Sequence, residues 1–343
     1  VRMKYATRIL LVILLHLSAS ATAADLTGVL GLMERRDYQR AEPLLRQVLA
    51  QEEDAEAEYL LGFLLIETYR FEEAEQHMRR AVAMRPMEDH WLMVLAKSML
   101  EQGKNVAASE VLDRAIALSP KPAYYHARAM TALNTGDLAA GEASLRACLA
   151  LDAAHEDALF RLGGLLIDQG RVAEGIVLLE KARAENSKNL ETLYRLGTAY
   201  RQTGRLEEAE QLLEAVVEQV PGHVGALHNL YRVLIQLGKR EEAVAVMEQF
   251  RVMSELRDEI DFNAYAVRKN PENIDGKVHL ASLYLRAGRS QDALQELMAA
   301  RVLAPRDARI YRLLATAFRN LGDEKNALRA EQFAQNIRSV SGG

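Results

Sequence analysis

The chain has 343 residues, 49% of them hydrophobic, which excludes a wholly disordered protein. Its single cysteine, Cys148, excludes an intrachain disulfide and a four-cysteine zinc site. A formal charge of −5 provides no general attraction for nucleic acid or anionic lipid, and 6% aromatics with one tryptophan are thin for two or three separate cores.

From the N-terminus, Arg2, Lys4 and Arg8 precede the apolar run Ile9 to Leu15, and the small residues Ser18 to Ala23 follow. This order matches a secretory leader, with Ala21-Thr22-Ala23 as an A-x-A cleavage site and residues 1–23 as the signal peptide. The apolar run is too short for a membrane-spanning helix, which needs about 20 residues. Retention as an uncleaved anchor is the competing reading. Cleavage before Ala24 leaves a chain with a net charge of −8 and no integral membrane segment.

Beyond the leader, glycines at 103, 136, 170, 204, 238, 288 and 322 each end one helical pattern and precede another. The spacing is 33 or 34 residues except for one interval of 50, between Gly238 and Gly288. The clearest copy holds Leu193, Leu196, Gly197, Tyr200, Gly204, Ala209, Leu213, Val216 and Pro221 at positions 4, 7, 8, 11, 15, 20, 24, 27 and 32 of a 34-residue repeat.

These positions strongly resemble the tetratricopeptide repeat. In that register about nine repeats begin near residues 22, 55, 89, 122, 156, 190, 224, 274 and 308. The resemblance implies an all-α, right-handed superhelical solenoid of about nine stacked helix-turn-helix repeats. Gly62, Gly163 and Gly197 take position 8, where a small residue lets paired helices approach, and Ala41, Ala74, Ala108, Ala209, Ala243, Ala293 and Ala327 take position 20. Gly141 and Gly175 replace that alanine, Tyr231 replaces the position-8 glycine, and Arg36 stands where the first repeat would carry its turn glycine. No repeat buries enough apolar surface to offset its ordering entropy alone, so neighbours must stack along a continuous seam.

The long interval adds 16 residues. Val252, Leu256, Ile260, Asn263 and Val267 keep helical spacing, so the segment is a lengthened second helix of repeat seven or an additional helix, stopped near Asn270-Pro271. It serves either as a structural join or as a partner-binding protrusion. The resulting organisation is an array of repeats one to seven over 24–254, an inserted or extended helix over 255–273, and C-terminal repeats over 274–343. Glu324, Lys325, Arg329, Glu331, Gln332 and Gln335 make the last helix polar, as a solvent-facing cap requires.

No catalytic motif stands out, and no segment is left over for an appended enzyme domain. His223 and His228, five residues apart on one helix, diverge too far to share a metal and suit cap and surface roles. His155-Glu156-Asp157 opens a helix, where acidic residues complement the dipole. Cys148 falls at position 27, which reads as a buried small hydrophobe.

At about 100° per residue, positions 4, 7, 8 and 11 form the core stripe of the first helix, and positions 2, 5, 9 and 12 form a second stripe. In tetratricopeptide arrays the second stripe lines the concave groove. Here the resemblance assigns it Tyr59, Phe63 and Ile66 in repeat two, Met93 and Lys97 in three, His126 and Met130 in four, and Phe160 in five. It continues with Tyr194 and Arg201 in six, His228 and Arg232 in seven, and Arg312 and Arg319 in nine. The bland alternative is that such side chains pack onto neighbouring repeats. A groove apolar at one end and basic at the other suits an extended segment with apolar anchors and carboxylates. The Lys and Asn pair with which co-chaperone members grip a C-terminal carboxylate is absent from every repeat.

The sequence therefore predicts a non-enzymatic scaffold that binds a protein or peptide, without cofactor, metal or nucleic acid. It is expected to be exported to a periplasmic or envelope-associated location, with secretion as the alternative. Accessory service to a bacterial envelope machine, in polysaccharide export or outer-membrane assembly, is the second functional reading.

Overall fold

A computed structural model describes the backbone of residues 21–341 and the side chains of 26–337. Most of the expected leader therefore lies outside the described residues. The described chain enters as helix α1 (Ala21–Glu34), three residues before the expected mature start at Ala24.

Eighteen helices and no strands are found among the described residues, and they alternate as first and second helices of nine hairpins. One structural unit ends at Asn186 and a second starts at Ser187. The N-terminal unit holds α1, α2 (Tyr38–Gln51), α3 (Ala55–Glu67), α4 (Phe71–Met84), α5 (Asp89–Glu101), α6 (Asn105–Leu118), α7 (Pro122–Asn134), α8 (Leu138–Leu151), α9 (Glu156–Asp168) and α10 (Val172–Glu185). The C-terminal unit holds α11 (Leu190–Gln202), α12 (Leu206–Gln219), α13 (Val224–Gln236), α14 (Arg240–Lys269), α15 (Ile274–Arg286), α16 (Ser290–Leu303), α17 (Ala308–Asn320) and α18 (Glu324–Ser341). None of these helices is long and apolar enough to cross a membrane.

Each hairpin is punctuated by local chemistry. Most first helices open on a side chain that accepts a backbone N–H: Asp54 from Ala57 at 2.7 Å, Asn189 from Thr192 at 3.2 Å, and Asn273 from Gly276 at 3.0 Å. First helices close on a left-handed residue, as at Gly204 (φ 79°), where the Arg205 N–H reaches back to the Tyr200 carbonyl at 2.9 Å. The first two hairpins make the same turn without glycine, using Arg36 at φ 58° and Tyr69 at φ 63°. Backbone hydrogen bonds hold both residues there despite the steric cost of a Cβ in this region.

Within hairpins the small-residue positions set the helix separation. The seven position-20 alanines are completely buried. In the fifth repeat Gly163 and Gly175 face one another, and a Cβ on Gly175 would stand 2.6 Å from the Gly163 carbonyl oxygen. Cys148 is fully buried beside Leu145, Ala158 and Leu162.

Between repeats the seam carries a recurring ion pair. A glutamate at position 21 of one second helix meets a basic residue at position 16 of the next repeat. The pairs are Glu42 with Arg70 (2.7 Å), Glu75 with Lys104 (2.7 Å), Glu142 with Arg171 (2.8 Å) and Glu210 with Lys239 (2.6 Å). Glu75 and Glu210 are themselves buried, so these pairs join repeats and also compensate carboxylates removed from water.

The 16 extra residues extend a single helix: α14 runs 30 residues without a break, against 14 in the other second helices from α2 to α16. Its distal half buries Leu256, Ile260 and Val267 against Leu280 and Leu283 of α15. Met253, rather than the expected Val252, joins that cluster, and Val252 is exposed because the stripe drifts by one residue at the start of the extension. On the last helix Lys325, Arg329 and Gln332 face solvent, but so do Leu328 and Phe333.

Candidate ligand-binding face of the first helices

Five contacts, each within one unit or the other, fix the register of consecutive first helices. Tyr59 meets His90, His126 meets Asp157, Tyr194 meets Gly225, and Thr198 meets Asn229, each 31 residues apart, while Tyr59 also stacks on Trp91. A side chain on this face thus has a defined neighbour on the next repeat.

In the N-terminal unit that neighbour absorbs most of the sequence-predicted residues. Tyr59 is 0% exposed and lies flat against Trp91, ring centroids 5.0 Å apart. It is a core residue, which corrects its assignment to the groove, and Ile66 is likewise buried. A stacked pair buries more apolar area than an open groove position, and here it does so although the Tyr59 hydroxyl has no hydrogen-bond partner among the described residues. Phe63 and Met93 are half-buried against the same core. Lys97 is exposed but lies 3.7 Å from Glu67. His126 and Arg161 both engage Asp157, at 2.5 and 2.7 Å. Against the upward push of burial, these two partners hold the Asp157 carboxyl down at about 2. Phe160 and Met130 are half-buried.

In the C-terminal unit the predicted residues are divided between half-buried and exposed positions. Tyr194 is half-buried, its ring 4.7 Å from His223, and a Cβ on Gly225 would come 2.7 Å from its hydroxyl. One turn on, Asn229 donates to the Thr198 hydroxyl at 3.1 Å. One further turn on, Arg201 and Arg232 share the same offset, near enough for the Arg232 charge to act on Arg201. Arg201 is half-buried with its Nε shielded from water and unbonded, and Arg232 is exposed. Neither guanidinium has a carboxylate partner among the described residues. Burial and the adjacent Arg232 charge both push the Arg201 pKa below its usual value. His228 is exposed on the same helix, 5.5 Å from Phe250 of α14. In repeat nine, Arg319 is bound to Glu331 at 2.6 Å, whereas Arg312 is exposed.

The capping roles read from the sequence are met: His155 accepts from the Ala158 N–H at 3.3 Å and His223 from the Ala226 N–H at 3.0 Å. Sequence reasoning missed Phe250, Thr198 and Asn229, although the 31-residue offset that pairs the last two is present in the numbering of the repeats. Glu210, Glu214 and Glu242 place carboxylate oxygens within 4.8 Å of one another, with the Lys239 ammonium already bound to Glu210.

The tetratricopeptide-repeat family profile matches residues 32–97, 66–131, 166–222 and 204–250, and a second profile of the same description matches 126–189 and 278–335. The chain belongs to the tetratricopeptide-repeat family. It is 31% identical over 171 residues to Cellulose synthase operon protein C of Xanthomonas axonopodis pv. citri, an alignment covering 46% of this chain but 11% of that protein. Among solved structures, the C-terminal part of a tetratricopeptide-repeat-containing protein from Cytophaga hutchinsonii matches with a TM-score of 0.50 at 16% identity, over 75% of this chain and 99% of that one. A tetratricopeptide repeat protein from Parabacteroides merdae matches with a TM-score of 0.48 at 16% identity, over 77% and 98%. Tetratricopeptide-repeat proteins are in general non-catalytic scaffolds for protein interaction.

Proposed function

We propose that this tetratricopeptide-repeat chain is an exported, non-enzymatic scaffold that holds a protein or extended peptide segment on its first-helix face. The observation that carries the reading is the row Tyr194, Arg201, His228 and Arg232, in which His228 and Arg232 are exposed and neither arginine has a carboxylate partner among the described residues, whereas in earlier repeats Tyr59 and Ile66 are buried and Lys97 and His126 lie against carboxylates. Aromatic and arginine side chains are the types that anchor partners most strongly. The basic and apolar order of residues 2–15 supports export to the periplasm or envelope. A net negative charge disfavours nucleic acid as the partner.

Capture from an envelope extract tests this reading. The unaltered chain should retain a partner that the combined Tyr194→Ala, Arg201→Ala, Arg232→Ala variant loses, and equal capture by both would remove the face assignment.

A second reading, accessory subunit of an envelope machine, draws support from the 171-residue similarity to a protein named for a cellulose synthase operon. Of its two versions, that similarity favours polysaccharide export over outer-membrane assembly. A defect in polymer export, but not in outer-membrane protein insertion, on deletion of the gene would support it.

A further inference from the structure

The 31-residue register gives several first-helix side chains a complementary neighbour on the next repeat. His126 meets the Asp157 carboxylate, the Thr198 hydroxyl accepts from Asn229, and Tyr194 fills the space above Gly225. Arg201 and Arg232 depart from this pattern, with no carboxylate partner for either among the described residues. They occupy the same offset, so two permanent cations lie near enough for the charge of Arg232 to act on Arg201, which is half-buried with its Nε shielded and unbonded. Such an arrangement costs stability and leaves donor capacity unused.

We propose that Arg201 and Arg232, juxtaposed on α11 and α13 without a carboxylate partner among the described residues, form an anchor for one carboxylate of an extended acidic peptide. This rests on the scaffold reading above and names the chemistry of the segment held. A carboxylate offers two oxygens with lone pairs for both guanidinium forks, and it neutralises the repulsion between them. Tyr194 supplies an aromatic surface seven residues before Arg201, about 10 Å along the helix. An extended peptide spans that distance with about three residues. The expected motif is therefore an aromatic residue followed three positions later by Asp or Glu. The site differs from the Lys and Asn pair of co-chaperone repeats, since its residues lie at position 12 of one repeat and position 9 of the next.

The test uses the full chain labelled with 15N at arginine and follows the Nε–H resonances. Three probes are titrated separately: acetyl-Trp-Ala-Ala-Glu-amide, the same peptide with Gln in place of Glu, and inorganic phosphate. The Glu peptide should shift both Arg201 and Arg232, with the Gln peptide binding at least about tenfold more weakly. Equal binding of the two peptides, no response to either, or stronger binding of phosphate each overturns the carboxylate anchor. None of these results touches the capture experiment, which decides the scaffold reading on its own. The variant Arg232→Glu guards against unfolding as an explanation: it pairs with Arg201, so its melting temperature should rise while the Glu peptide no longer binds. Retained binding of that peptide by Arg232→Glu also overturns the proposal.

Discussion

Lys104 of the third repeat donates to Glu75 of the second, Nζ to Oε2, at 2.7 Å. Glu75 is buried and also accepts from Arg79 and Gln102, so Lys104 compensates a carboxylate already removed from water. Replacing Lys104 by Met should destabilise the N-terminal unit by about 1–3 kcal/mol, the penalty for a buried charge that loses a partner. Urea unfolding checks this, and adding Glu75→Leu to the same chain should recover most of the loss.

The same pair sets an acid dependence. Burial pushes the Glu75 pKa up, but its bonds to Lys104, Arg79 and Gln102 outweigh that and hold it below the ordinary 4.5. A depressed folded-state pKa contributes stability that is present above the unfolded value and lost as the pH falls through the folded one. Denaturation midpoints measured from pH 6 downward should therefore decline below about pH 4.5, and Lys104→Met should flatten part of that decline.

Glu214 behaves in the opposite sense. Burial, with the Glu210 charge beside it, raises its pKa. A raised carboxylate pKa makes the ionised group a liability at neutral pH, so Glu214→Gln should stabilise the C-terminal unit at pH 7, with the gain disappearing on acidification. Thermal melts across the pH range would detect this, and an unchanged or lowered melting temperature at pH 7 would refute it.

Arg36 and Gly170 close equivalent first helices, at φ 58° and 82°. Arg36→Gly should stabilise by about 1 kcal/mol, because glycine enters the left-handed region without steric cost, while Gly170→Ala should destabilise by a similar amount. Paired chemical denaturation curves of the two variants decide the matter.

Cys148 is buried, and burial, reinforced by Asp152 and Asp157, lifts its thiol pKa to about 11. A disulfide reagent at pH 8 should leave it unmodified in the folded protein and titrate one thiol after denaturation. Rapid native modification would contradict the packing role.

The repeat itself was legible in the sequence because each signal answers a local demand: a left-handed turn at Gly204, a small residue at Ala209, a cap at His223. What escaped was set by contacts between repeats. Tyr59 occupies a groove position by periodicity, yet Trp91 in the next repeat covers it. His126 and Lys97 look like free groove residues until Asp157 and Glu67 are placed beside them. Tyr69 is the exception, held at positive φ by backbone bonds within its own hairpin, where no glycine marks the turn. The extension kept its helical period, but a one-residue drift exchanged Val252 for Met253.

The central claim, that the face bearing Tyr194 and the two arginines holds a partner, is tested most directly by photo-crosslinking in cells. A photoreactive residue replaces Tyr194 in one strain and Val302, which is 78% exposed on a second helix, in another. A discrete adduct at 194 that is missing at 302, and that disappears when Arg201→Gln and Arg232→Gln are added, is the predicted result. Identical adducts at both positions, or an adduct at 194 indifferent to the two arginines, would contradict it.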